Sequence, residues 1–185
     1  MWHGSSARRL GALGLALLLA SGLPLPAAAQ RGTVVLVGDS TMAPNTGYGD
    51  ALCARLQPEW ACVNLARGGR STLSYRAEGL WDALLQRIPA DRARAEPPHV
   101  LVQFGHNDQP GKPGRSTDLA TEYPANLQRF VDELWAAGAV PVLVTPLTRR
   151  SFKGDQLDDQ LQPWADAMRR VATARAVPLV DLHAL

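Results

Sequence analysis

The stretch VVLVGDSTM, residues 34–42, runs four apolar residues into a glycine, an acid and a hydroxyl. An unbroken apolar run of this kind reads as a strand covered on both faces, not as the alternating strand of a half-wet sheet. The same pattern recurs, and the expected strands are TVVLVG (33–38), ACVNLA (61–66), HVLVQFG (99–105), AVPVLVTP (139–146) and AVPLVDL (176–182). Between them lie amphipathic stretches. Residues 121–137 place Leu127, Phe130, Val131 and Leu134 at helical spacing, and 158–175 do the same with Leu161, Trp164, Ala165, Met168 and Val171. A further helix is expected over 48–57. Strands alternating with helical crossovers predict an α/β fold: a three-layer α/β/α sandwich around a five-stranded parallel sheet. The charged stretch DRARAEPP (91–98) reads as a proline-ended turn into the third strand.

The chain opens differently. Arg8 and Arg9 precede an apolar run from Leu10 to about Ala20, and Ala27-Ala28-Ala29 supply small residues for cleavage, so residues 1–29 read as a secretory signal peptide. A membrane anchor is the rival reading. The run ends by Leu23, short of the roughly 20 residues that span a bilayer, and Pro24 and Pro26 follow it. The residue directly after Ala29 is Gln30, not cysteine, which argues against a lipoprotein. The expected location is periplasmic or secreted, and no membrane partner is expected after cleavage.

Residues 30–185 suffice for one domain and are too few for two. The two arginines of residues 1–29 account for the whole excess of 19 basic over 17 acidic residues. A near-neutral mature chain gives no electrostatic reason to expect nucleic acid as partner. Cys53 and Cys62 are the only cysteines. In an oxidising compartment they form either a disulfide or two small buried residues that never meet; without a nearby histidine they make a poor zinc site, and no metal or cofactor is expected.

In parallel sheets ligands bind beyond the carboxyl ends of the strands. Those ends carry Gly38-Asp39-Ser40, then NLARGGRS (64–71), FGHND (104–108) and TPLTRRSF (145–152). A serine after a strand is commonly a helix cap, and Met42 stands where a G-x-S-x-G elbow would have its second glycine. The neighbouring strand ends point to acyl transfer instead. A tetrahedral intermediate needs donors for its oxyanion, and the backbone N–H of Gly69 and the side-chain amide of Asn107 can supply them.

Together, GDSTM (38–42), ARGGRS (66–71) and GHND (105–108) resemble the first three blocks of the SGNH hydrolase (GDSL-like esterase) superfamily. The longer forms GDSTMA, GRS and FGHND, with TPLTRR later, are similar to its rhamnogalacturonan acetylesterase branch. The resemblance implies a flavodoxin-like strand order 2-1-3-4-5. It also implies a metal-free serine esterase that removes acetyl groups from a pectic polysaccharide. Ser40 would be the nucleophile, and its own N–H, that of Gly69 and the amide of Asn107 would form the oxyanion hole.

The resemblance further implies an Asp-x-x-His block after the fifth strand, before a final helix. The sequence there reads VPLVDLHAL, so the expectation is a chain without that block or helix, impaired as an enzyme and prone to associate. Asp181 and His183 are the substitute dyad to consider, since they would share a face if the strand persisted. His99 begins its strand, at the opposite end from the site, and His3 belongs to the leader. His106, Arg70, Arg149 and Arg150 are candidates for substrate contact, the cations through the carboxylates of an acidic sugar, as Lys153 is too; solvated surface charges are the alternative. Two other functions stay open: a carbohydrate-binding remnant without turnover, and a lipid or thioester hydrolase of the same fold. Oligomeric state is not legible in the sequence.

Overall fold

The computed structural model describes Met1, residues 30–91 and residues 95–185. The leader reading, on residues 2–29, lies outside the described residues, as do 92–94 of the charged turn. The elements run β1 (Gly32–Gly38), α1 (Gly49–Cys53), β2 (Trp60–Asn64), α2 (Thr72–Ala77), α3 (Leu80–Asp91), β3 (His99–Gln103), α4 (Glu122–Ala137) and β4 (Val140–Val144). A short antiparallel hairpin, β5 (Phe152–Lys153) and β6 (Gln156–Leu157), comes next. The chain then continues through α5 (Gln162–Arg175), β7 (Leu179–Val180) and a 3-10 turn at Leu182–Ala184. Among the described residues, no helix is long and apolar enough to cross a membrane.

The five strands of the main sheet are all parallel, in the order β2-β1-β3-β4-β7, which is the expected 2-1-3-4-5 with the hairpin inserted before the last strand. β1 lies inside the sheet, with Val35 flanked by Val63 on one side and Val100 on the other. The two faces are covered unevenly. One packs Val35, Val37, Val100, Val102 and Leu143 against Trp81, Leu84 and Ile88 of α3 and the apolar faces of α4 and α5. On α4 that face is Tyr123, Leu127, Phe130, Val131 and Leu134, all fully buried, and each such side chain contributes about 1.5–3 kcal/mol through burial. α4 stops where Gly138 takes a left-handed φ of 78° and Ala139 N–H returns to the Leu134 carbonyl.

The opposite face has a smaller cluster, Leu36, Met42, Ala43 and Ala66, under the five-residue α1. Beside it runs a groove of about 460 Å³, bordered by Val34, Leu52, Trp60, His99, Leu101 and Val142. Cys53 at the end of α1 is bridged to Cys62 of β2, with a Cα–Cα distance of 5.4 Å. The bridge fastens the thin third layer to the sheet edge.

Candidate functional site

The site is assembled from three loops that leave the carboxyl ends of β2, β1 and β3, three neighbouring strands. After β1 the chain turns sharply, because the Asp39 carbonyl accepts from both Met42 and Ala43 N–H. The Asp39 side chain is fully buried and fixes the same turn: Oδ1 accepts from Thr41 N–H at 2.9 Å and from the Thr41 hydroxyl at 2.8 Å. These bonds leave Ser40 exposed at the apex. Its backbone N–H and hydroxyl have no hydrogen-bonding partner among the described residues. Ser40 caps no helix, since α1 begins only at Gly49.

The loop after β2 is tied to that turn by Arg67 N–H, which donates to the Gly38 carbonyl at 2.9 Å. It passes against the serine: a Cβ on Gly68 would lie 3.7 Å from that of Ser40. Gly69 has φ +80°, a conformation that L side chains rarely adopt, and its N–H donates to no described group. Asn107, after β3, closes the third side. One of its two amide hydrogens goes to the Arg70 carbonyl at 2.9 Å, which holds the amide against the glycine loop and leaves the second hydrogen available.

Asp108 fastens these two loops together. Its Oδ1 accepts from Thr72 N–H (3.0 Å), the Thr72 hydroxyl (2.5 Å) and the Thr117 hydroxyl (3.2 Å), so the start of α2 is held to the loop after β3. Burial pushes its carboxyl up to about 6; the hydrogen bonds of Thr72 and Thr117 pull it down and the charge of Asp39 adds to the rise. His106 is buried beside Asp39, its Nδ1 3.4 Å from Asp39 Oδ2, and neither atom has a hydrogen-bonding partner among the described residues. Sequence reasoning singled out neither Asp39 nor Asp108. The available signal was that each stands directly next to a candidate residue at a strand end.

The structure commits Asp181 and His183 to different partners. Asp181 is gripped by Arg169 through Nε and Nη2, both at 2.9 Å, and accepts from the Thr145 hydroxyl; these bonds, led by Arg169, hold its carboxyl below the usual range. His183 lies in the 3-10 turn, with Nε2 2.9 Å from Asp159 Oδ2 and Nδ1 3.1 Å from the Pro146 carbonyl. The face-sharing argument required the strand to persist, and β7 ends at Val180.

Among the cations, Arg70 is paired with Glu78 at 2.8 Å, and Lys153 with Asp158 at 3.1 Å. Arg149 donates to the His106 carbonyl at 3.2 Å, which places it at the site, whereas Arg150 is exposed with no ion pair among the described residues. Two further cations converge there: Lys112 donates to the His106 carbonyl and Arg115 to the Gly69 carbonyl at 3.3 Å. Their segment, QPGKPGRS (109–116), reads in sequence only as a turn.

The sequence profile of the GDSL-like lipase/acylhydrolase family matches residues 36–185. Rhamnogalacturonan acetylesterase RhgT of Bacillus subtilis (strain 168) is 36% identical over 160 residues, covering 82% of this chain and 65% of its own length. The probable rhamnogalacturonan acetylesterase YesY of the same organism is 32% identical over 151 residues, covering 81% of this chain and 66% of its own length. The chain thus spans just under two thirds of these relatives. Among solved structures, the acetylxylan esterase Axe2 of Geobacillus stearothermophilus superposes with a TM-score of 0.64 at 18% identity, over 85% of this chain and 79% of that one. At that identity the likeness is one of fold.

Proposed function

Because the chain belongs to the GDSL-like lipase/acylhydrolase family, we propose that it is an exported serine esterase that removes O-acetyl groups from a carbohydrate, with a pectic, rhamnogalacturonan-like polysaccharide as substrate. One observation carries the reading. An exposed serine, unbonded backbone N–H groups of Ser40 and Gly69 and a half-free Asn107 amide meet at three adjacent strand ends. The names of the curated relatives supply the substrate.

In this mechanism Ser40 Oγ attacks the acetyl carbonyl as its proton passes to a base. The carbonyl oxygen becomes an oxyanion and accepts from Ser40 N–H, Gly69 N–H and Asn107 Nδ2. Collapse breaks the bond to the sugar oxygen, which leaves as a hydroxyl by taking the proton back from the base, and the acetyl-enzyme that remains is hydrolysed by water. A base must come within roughly 2.6–3.2 Å of the serine oxygen. Among the described residues no imidazole hydrogen-bonds Ser40, so the reading assigns nucleophile and oxyanion donors and leaves the base unassigned. A second reading, supported by the cations Lys112, Arg115 and Arg149 beside the site, is a carbohydrate-binding protein that retains the cleft with little turnover. The two separate in one experiment. Acetyl release from acetylated rhamnogalacturonan that disappears in Ser40→Ala, with an organophosphonate adduct on Ser40, supports the esterase; saccharide binding unchanged in Ser40→Ala, without release in either protein, supports the binding reading.

A further inference from the structure

Three of the cations around the site have no carboxylate to neutralise them. Lys112, Arg115 and Arg149 donate to backbone carbonyls, and none has an ion-pair partner among the described residues. Lys112 and Arg149 share one acceptor, the His106 carbonyl, while Arg115 holds the carbonyl of Gly69, the residue proposed to offer its N–H to the oxyanion. Their mutual repulsion is visible in Lys112, whose ammonium is held below its usual range by burial and then by the charges of Arg149 and Arg115. Asp39 and Asp108 pull the other way, but both are buried and turned to other groups, Asp39 to Thr41 and His106, Asp108 to Thr72 and Thr117.

The loop that carries two of these cations is built to present them. Gly111 and Gly114 take left-handed φ values of 84° and 70°. The Ser116 hydroxyl accepts from Lys112 N–H at 2.8 Å and donates to the Gln109 carbonyl at 2.8 Å, closing the loop on itself. Cations fixed in advance lose little freedom on meeting an anion. Like charges held together raise the free energy of the unliganded protein, and an anion among them relieves it.

We propose that Lys112, Arg115 and Arg149 form a carboxylate subsite, which binds the uronate group of an acidic saccharide whose acetyl ester lies at Ser40. Guanidinium groups suit this role because their forked donors match a carboxylate's two oxygens. The inference rests on the acetylesterase reading for the second half of that statement and on the charge cluster alone for the first.

The test uses the full chain carrying Ser40→Ala, so that binding is measured without turnover. Digalacturonate, its dimethyl ester and inorganic sulfate are titrated separately by calorimetry. Digalacturonate should bind at least about tenfold more tightly than the neutral ester, and the difference should shrink as salt is raised. Combined Lys112→Gln, Arg115→Gln and Arg149→Gln should abolish the preference, whereas Lys153→Gln, on a lysine already paired with Asp158, should leave it intact. Equal affinity for acid and ester in the otherwise unaltered protein overturns the subsite, as does a preference retained by the triple variant. Sulfate binding as tightly as digalacturonate overturns it too, by making the cluster a site for any oxyanion. Acid-selective binding without Ser40-dependent acetyl release from the unsubstituted chain keeps the subsite and removes the esterase reading; release without acid selectivity does the reverse.

Discussion

Replacing Asp108 with Asn should change how stability depends on pH. Burial lifts this carboxyl from its ordinary 3.8 to about 6, so the folded chain holds the proton more tightly than the unfolded chain does. Between those two values unfolding releases a proton, and stability therefore falls as pH rises. The contribution is complete below 3.8 and is lost as pH passes through about 6. A displacement of about 2 pH units corresponds to roughly 3 kcal/mol at 1.36 kcal/mol per unit. Asn keeps one oxygen for Thr72 and Thr117 but does not titrate. Urea denaturation of both proteins at intervals from about pH 3 to about pH 7 should show the wild-type advantage over Asp108→Asn shrinking by that amount. Carboxyls held low, such as Asp50, Asp118 and Asp181, push stability in the opposite direction, but they are common to both proteins and cancel in the difference. A difference between the two proteins that stays constant across the range would refute the account of Asp108 as a buried carboxylate.

Three further outcomes are expected. Asn107→Ala should lower acetyl turnover by about 10²–10³-fold with little change in KM, as loss of one oxyanion donor does; an unchanged turnover would remove Asn107 from the oxyanion hole. Reducing the Cys53–Cys62 bridge should lower stability by up to about 3 kcal/mol, given the small loop it closes, read as the shift in urea midpoint with and without reductant. Ala176 ends α5 in a left-handed conformation at φ 50°, where glycine is the unstrained residue. Ala176→Gly should raise stability by about 0.5–1 kcal/mol, and a loss would show that Ala176 is not strained there.

Sequence reading found the strands by their apolar runs but overran their ends, because ends are decided by side chains met only after folding. The second strand was expected to reach Ala66 and stops at Asn64, whose amide turns aside to the Met42 carbonyl and Asp50. The last was expected from 176 and begins at Leu179, because Val177 N–H is still capping α5 through the Ala172 carbonyl. The helix expected over 158–175 starts at Gln162, where Asp159 accepts from Leu161 and Gln162 N–H, and Phe152–Leu157 form a hairpin that no periodicity announced. The expected helix 48–57 is regular only to Cys53, since Arg55 and Leu56 donate three residues back instead of four. That Ser40, Gly69 and Asn107 come together was legible because strand ends fix their backbone positions. Lys112 and Arg115 were not, because their approach to the site depends on how a Pro- and Gly-rich loop closes around Ser116.

That closure has a consequence for how specificity can change. Ser116 satisfies the Lys112 N–H and the Gln109 carbonyl from within residues 109–116, so most of the loop's polar bonds are made to itself. Its main ties to the rest are Gln109, which reaches the Gln160 carbonyl, and the donations of Lys112 and Arg115 to carbonyls of the site. The donors proposed for the oxyanion, by contrast, stand on the loops that leave β1, β2 and β3, three neighbouring strands at one side of the sheet. On the proposed reading, substrate preference and bond-breaking are carried by parts that meet at two backbone carbonyls, those of His106 and Gly69. If the proposed subsite is right, a loop of equal length with a different charge between Gln109 and Thr117 should change what the cleft accepts while the strand pairing that carries Ser40 stays as it is.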